Sequence, residues 1–169
     1  PMCGESRPTF FRGVATVVTK LLHIVEPDVV VFGKKDYQQW RLVQRMVRDL
    51  DFPIEVIGLP IVREADGLAM SSRNARLTAA QRTAALSIHR GLEHAQARIS
   101  AGERDATTLE AGLRGGIVDA GGRVDYVAFA DRHTLSQQAH VTGSTLLAVA
   151  AWFGDVRLID NHEVQIPSR

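Results

Sequence analysis

The chain has 169 residues, 45% of them hydrophobic, with 20 Lys and Arg against 19 Asp and Glu and a formal net charge of +1. That length buries one core or two small ones, and so even a charge balance argues against a nucleic-acid partner. One cysteine, Cys3, excludes an internal disulfide, no apolar run reaches membrane-spanning length, and no secretory pattern opens the chain, so a cytoplasmic setting is the default expectation.

Residues 9–25 carry apolar side chains at Phe11, Val14, Val18, Leu21, Leu22 and Val25, a helical stripe that Pro27 terminates. Residues 28–32 read as a buried strand. A helix follows over about 37–50, with Trp40, Val43, Val47 and Leu50 on one face, and then a second strand over 54–59 before Pro60. In the order α-β-α-β, right-handed crossover makes the two strands parallel with a helix covering one face. Two parallel strands cannot bury both faces, so the sequence predicts that further strands precede this segment. The charged cluster Arg41, Arg45, Arg48, Asp49 and Asp51 reads as a solvated helix face and its end.

Beyond Asn74 the character changes. Thr78 and Gln81 have capping-box spacing and open a long Ala-rich helix to about Ser100, while Gly102 and the run Thr107-Thr108-Leu109-Glu110 mark a break and a second capped start. Gly121-Gly122 ends that helix. Strands are predicted over 124–130, 145–153 and 156–159, with Gly154-Asp155 as a two-residue hairpin loop. This is an α+β unit distinct from the parallel half-sheet, with a boundary near Ile61 and Val62 and no repeat, low-complexity tract or disordered linker. His23, His89, His94, His133, His140 and His162 have no metal-ligand spacing and read as solvated or locally hydrogen-bonded. Trp40 and Trp152 sit in apolar patterns that core packing explains.

Two segments carry chemistry. Gly33-Lys34-Lys35-Asp36-Tyr37-Gln38-Gln39 stands between the first strand and its helix. A glycine there lets backbone approach a ligand, the helix start offers N–H groups to an anion, and Lys35 adds a mobile positive charge. Met70-Ser71-Ser72-Arg73-Asn74 sets two hydroxyls beside a guanidinium, donors suited to phosphate oxygens. Alone, the first also fits a turn with an Asp N-cap and the second a polar loop.

Taken together, and with Val62-Arg63-Glu64-Ala65-Asp66-Gly67-Leu68-Ala69 leading into the second, the segments closely resemble the pantothenate synthetase family, ATP-dependent ligases that join pantoate to β-alanine. The resemblance runs from Cys3 to Asn161 and includes Cys3-Gly4-Glu5-Ser6-Arg7-Pro8, the run from Gly13 to Leu21, and Arg157-Leu158-Ile159-Asp160-Asn161. It implies an α/β fold: 1–61 as the remainder of a Rossmann-like ATP- and pantoate-binding domain of the class I tRNA-synthetase and nucleotidyltransferase type, and 62–169 as a small α+β lid domain with an antiparallel sheet. Family members carry a His-x-Gly-His motif before this segment, and none occurs in these residues. The resemblance therefore implies the C-terminal part of the family chain, of low activity alone.

Residue by residue, the resemblance implies that Gly33 and Asp36 contact ATP around the ribose, that Lys35 contacts phosphate and that Gln39 hydrogen-bonds pantoate. Val62 matches a position whose backbone meets the adenine. Met70, Ser71, Ser72 and Arg73 match the loop over the phosphates, the counterpart of the Lys-Met-Ser-Lys-Ser loop of class I tRNA synthetases. Lys35, Ser71, Ser72 and Arg73 are the implied catalytic clamp, ATP the nucleotide, Mg2+ bound through its phosphates, and a homodimer the implied assembly. The chain departs from the family at Phe10, where histidine is usual and where a phenyl ring cannot donate a hydrogen bond. Lys34, Leu22 and His23 replace the usual glutamate, phenylalanine and asparagine without evident chemical cost. A truncated, non-catalytic nucleotide-binding or dimerisation module, or another nucleotidyltransferase of the same architecture, are the alternatives.

Overall fold

The structure is a computed structural model that describes residues 10–166, and the chain divides into two compact units between Ile61 and Val62. The motif from Cys3 to Pro8 lies outside the described residues.

The first unit contains α1 (Phe10–Val25), β1 (Val29–Gly33), a 3-10 turn over Lys34–Asp36, α2 (Tyr37–Asp49) and β2 (Glu55–Leu59). As the crossover rule requires, β1 and β2 are parallel, with Val29 opposite Glu55 and Gly33 opposite Leu59. The core is formed by Leu22, Val43, Met46 and Val47, against which Ala15, Val18, Val30, Phe32 and Val56 pack.

Three expectations need correction here. The buried face of α1 follows the spacing Ala15, Val18, Leu22, whereas Leu21 and Val25 of the expected stripe are exposed. The strand β1 is buried on one face only: Val30 and Phe32 point into the core while Val29 and Val31 are exposed. Leu50 is exposed because α2 stops at Asp49 and the backbone turns out of the helix at Asp51 (φ 53°), so the seam is completed by Met46 instead.

Trp40 anchors the start of α2. Its ring meets Tyr37 edge-on at 5.1 Å between centroids, and both side chains are buried. Gly58 of β2 accepts this ring: a Cβ there would stand 2.6 Å from the indole.

The second unit opens with an extended segment closed by a bridge between Arg63 and Ala69, followed by a 3-10 turn over Ser72–Arg76. Helices α3 (Ala79–Ser100) and α4 (Ala106–Asp119) precede β3 (Arg123–Asp131), β4 (Thr145–Phe153) and β5 (Val156–Glu163). The strands form an antiparallel sheet in the order β3-β4-β5. Ile88, Leu92 and Ile99 of α3 and Leu109, Leu113 and Ile117 of α4 share one core with Val127, Phe129, Leu147, Val149 and Phe153 of the sheet.

The Thr78 capping box forms as expected, the threonine accepting from Gln81 N–H while the Gln81 side chain accepts from Thr78 N–H. The second helix starts earlier than predicted. Its cap is Asp105, whose Oδ1 accepts from Thr108 N–H at 2.6 Å, and Thr107 and Thr108 fall inside the first turn. The strand β5 runs to Glu163 rather than ending at Ile159, and Trp152 is half-buried with the Arg123 guanidinium 5.2 Å from its ring centroid. No helix among the described residues is long and apolar enough to cross a membrane.

Replacing Gly58 with alanine forces the Trp40 ring out of its packed position. The expected cost is about 1–3 kcal/mol, the range of overpacked cores, read as a lower urea midpoint at unchanged slope. An unchanged midpoint would show that the ring moves freely.

Candidate functional site

In the first unit, Gly33 ends β1 with ordinary extended dihedrals (φ −75°, ψ 131°), so backbone strain does not call for glycine there. The space beside it is open, since a Cβ at this position meets nothing within 4 Å. Lys34 and Lys35 are half-buried in the 3-10 turn, with the Lys34 ammonium 5.0 Å from the Trp40 ring centroid. Asp36 immediately precedes α2, yet its side chain makes no capping hydrogen bond, so the Asp N-cap reading fails. Gln39 lies half-buried in the first turn of α2, next to the buried Trp40 and two residues after the buried Tyr37. Gly33, Lys35, Asp36 and Gln39 thus occupy one strand–turn–helix junction. At position 10, Phe10 opens α1 as an exposed ring edge-on to Phe11 at 5.3 Å.

In the second unit, Val62 is exposed and its carbonyl accepts from Met70 N–H at 2.9 Å, which holds the two positions side by side. Met70, Ser72 and Arg73 are exposed. Ser71 starts the 3-10 turn, its Oγ accepting from Arg73 N–H at 3.2 Å, and this bond leaves the hydroxyl proton able to donate. Asn74, next in sequence, is buried at 5% exposure and fastens the turn from beneath.

That fastening joins the two segments singled out in the sequence to Arg82 on α3, which no motif marks. Asn74 Nδ2 donates to Glu64 Oε1 at 2.5 Å and to the Ala69 carbonyl at 3.1 Å. The two acceptors fix the orientation of the amide, because a flipped amide would set oxygen against oxygen. Arg82, in the second turn of α3, donates through Nη2 to Glu64 Oε2 at 2.6 Å and through Nε to Asp66 Oδ2 at 2.9 Å. Asp66 Oδ1 also accepts from Leu68 N–H at 3.2 Å. At the other end, Arg63 grips Asp160 of β5 with two nitrogens at 2.7 and 3.1 Å and donates to the Gly67 carbonyl at 3.1 Å. Gly67 has φ +94°, and a Cβ on it would collide with the His89 ring.

These contacts set the local charge states. The Asn74 amide, then Arg82, hold Glu64 below the ordinary carboxylate range. The Leu68 amide, and after it Arg82, do the same for Asp66, while Glu64 and Asp66 raise Arg82 in turn. His162 on β5 is pushed down from the ordinary histidine value by burial and then by the positive charge of Arg63. Glu64 and Arg82 lie 18 positions apart, with Asp66 between them and no periodic signal. The Asp66-Gly67 pair, a turn signal inside an extended run, is the one local hint that residues 62–70 fold back on themselves.

Residues 1–163 match the family model described as pantoate-beta-alanine ligase. The chain is 56% identical over 164 residues to the pantoate–beta-alanine ligase of Arabidopsis thaliana, covering 97% of this chain and 53% of that protein. It is 52% identical over 166 residues to the pantothenate synthetase of Moorella thermoacetica, covering 98% and 59%. Among solved structures, pantothenate synthetase from Thermus thermophilus aligns with a TM-score of 0.90 at 41% identity over 97% of this chain and 59% of that one. Pantoate-beta-alanine ligase from Francisella tularensis, complexed with beta-gamma ATP and beta-alanine, aligns with a TM-score of 0.74 at 33% identity over 96% and 53%. The chain spans about half the length of the curated relatives it matches.

Acidification is expected to destabilise the fold in two steps. His162 has a lowered folded pKa, so the unfolded chain protonates first and stability falls as the pH drops below about 6.5. Glu64 and Asp66 are lowered too, so their contribution is complete above the ordinary carboxylate range and is lost below about pH 4. Thermal melts from alkaline to acid pH check this: His162→Gln should remove the upper step, and Glu64→Gln should make the lower one shallower.

Proposed function

Because the chain belongs to the pantoate–β-alanine ligase family, we propose that the protein containing it joins pantoate to β-alanine through a pantoyl adenylate, releasing AMP and pyrophosphate. The observation that carries the reading is the construction of the Met70–Arg73 segment: Ser72 and Arg73 are exposed donors on a short turn whose next residue, Asn74, is buried and hydrogen-bonded on two sides. Exposed donors on a fixed base suit an anion that comes and goes.

In the first step a carboxylate oxygen of pantoate attacks the α-phosphorus of ATP, and the bond to pyrophosphate breaks. Lys35 and Arg73 offset charge growing on the departing phosphates and Ser71 and Ser72 donate hydrogen bonds to them, and fixed donors do most in a site from which water is excluded. Gly33 and Asp36 take the ribose, and the backbone of Val62, with Met70, lies along the adenine and phosphates. Gln39 holds pantoate, its amide able to donate to the carboxylate and to accept from a hydroxyl. In the second step the β-alanine amine attacks the acyl carbon, the bond to the AMP oxygen breaks, and the amine proton leaves to solvent. Excluding water between the steps protects the adenylate from hydrolysis.

Mg2+ carried by the nucleotide would offset phosphate charge alongside Lys35 and Arg73, with Ser71 and Ser72 donating hydrogen bonds to the same oxygens. A cytoplasmic homodimer is the assembly this reading carries with it.

In a full-length ligase bearing these residues, Lys35→Ala and Arg73→Ala should each slow pantoate-dependent ATP–pyrophosphate exchange by on the order of 10²-fold, a loss of about 2–4 kcal/mol in the transition state, with little change in melting temperature. Exchange within twofold of the parent in both variants would refute the phosphate assignment.

Gln39→Ala separates the two substrates. Its KM for pantoate should rise much more than its KM for ATP, and equal rises would instead assign Gln39 to the support of the α2 start.

A further inference from the structure

Arg82 has no part in the ligase chemistry above, yet its guanidinium is the point where three segments of the second unit converge. It stands on α3, binds Glu64 and Asp66 from the folded-back segment 62–70, and through Glu64 reaches Asn74 in the turn that contains Arg73. We infer that Arg82 and Glu64 are positioning residues for the phosphate-facing segment Met70–Arg73. This inference presumes that the segment meets the phosphates of ATP.

Each link is a charge-assisted or directional contact. Glu64 divides its two oxygens, one for Asn74 at 2.5 Å and one for Arg82 at 2.6 Å, so a single carboxylate joins the turn to the helix. Asn74 N–H donates to the Ser71 carbonyl at 3.0 Å and Leu77 N–H to the Asn74 carbonyl at 3.1 Å, which carries the constraint into the backbone around Arg73. The helix end that bears Arg82 is itself fixed by the Thr78 capping box. A displacement of Arg82 therefore moves Glu64, then Asn74, then the residues before it. The guanidinium presents Nε to Asp66 and Nη2 to Glu64 in one rigid plane, a fixed fork that the flexible ammonium of a lysine does not reproduce.

Arg82 also balances charge. Glu64 and Asp66 place two carboxylates beneath a segment that would meet an anion, and Arg82 is within 2.6 and 2.8 Å of them. Position and charge make opposite forecasts for Glu64→Gln. That substitution removes a negative charge, which by electrostatics alone leaves ATP binding equal or better. It also sets an N–H donor against either Arg82 or the Asn74 amide and so breaks one of the two links between the turn and α3, which by position makes ATP binding worse.

The test measures KM for ATP and for pantoate in the full-length ligase, for Arg82→Ala, Arg82→Lys, Glu64→Gln and Arg73→Ala, at equal folded fraction. Arg82→Ala and Glu64→Gln should raise the ATP KM at least fivefold with the pantoate KM within twofold, and Arg82→Lys should fall between parent and Arg82→Ala. Hydrogen exchange at the Asn74 and Leu77 amides should quicken about tenfold in Glu64→Gln, a reading that needs no turnover. If Arg73→Ala impairs ATP use while the Arg82 and Glu64 variants keep the parent ATP KM and amide protection, the positioning role is overturned and the phosphate reading stands. If Arg73→Ala leaves ATP use unchanged, both fall. Parallel rises in both KM values with a lowered melting temperature would reduce Arg82 to a fold-stabilising residue and overturn the inference.

Discussion

A carboxylate withdrawn almost wholly from water must be matched by a cation, and in the second unit that constraint joins Arg63 to Asp160. Asp160 is only 4% exposed at its side chain, and the two residues are 97 positions apart in sequence. Losing either partner would strand the other's charge, which costs more than the pair contributes while intact. The contact pins residues 62–70 to β5, and the setting of the Met70–Arg73 segment follows from where those residues lie. Glu64 faces Arg82 because Arg63, its neighbour, is held on the sheet, and Asn74 finds Glu64 because the Arg63–Ala69 bridge folds the segment back. Fixed donors at the surface are thus the last link in a chain that begins with a buried ion pair.

The first unit solves the same problem with apolar groups. Trp40 and Tyr37 fix the helix start by packing, Gly58 yields the space for the indole, and the 3-10 turn carries Lys34 and Lys35 past the ring. Gln39, between two buried rings in sequence, takes its place from that packing. Here the polar groups are aimed by shape, while in the second unit they are aimed by charge.

What can be read from the sequence divides along the same line. The Thr78 capping box, the strand from Thr145 to Phe153 and the parallel pairing of β1 and β2 come from local spacing or from a chirality rule, and the structure has them where the pattern puts them. The Asp105 cap is hidden because the threonines that follow it are good caps themselves, and which residue serves is decided by where the chain enters the helix. The end of β5 is hidden because Asp160, Asn161, His162 and Glu163 look like a loop. They are strand because they pair with Leu146 to Val149, and Asp160 is tolerable there only because Arg63 arrives from far away in sequence. Arg82 and Glu64 are illegible for that reason too: no window of sequence holds both the turn and its support. The resemblance covers Arg63, Glu64, Asn74 and Asp160 along with the exposed residues of the turn, but that they hold the turn in place, and that Arg82 joins them, emerges only from three-dimensional contacts.

Gly67 has a consequence for how this segment can vary. Its positive φ excludes most side chains, and the His89 ring closes the space a Cβ would need, so two independent penalties fall on one position. Ala65, two residues earlier, is exposed. A library of all single substitutions across residues 62–70 should therefore show steep contrast between close neighbours, with Ala65 permissive and Gly67 closed to every replacement. An escape would need a paired change that shrinks the imidazole at position 89 and still tolerates left-handed backbone.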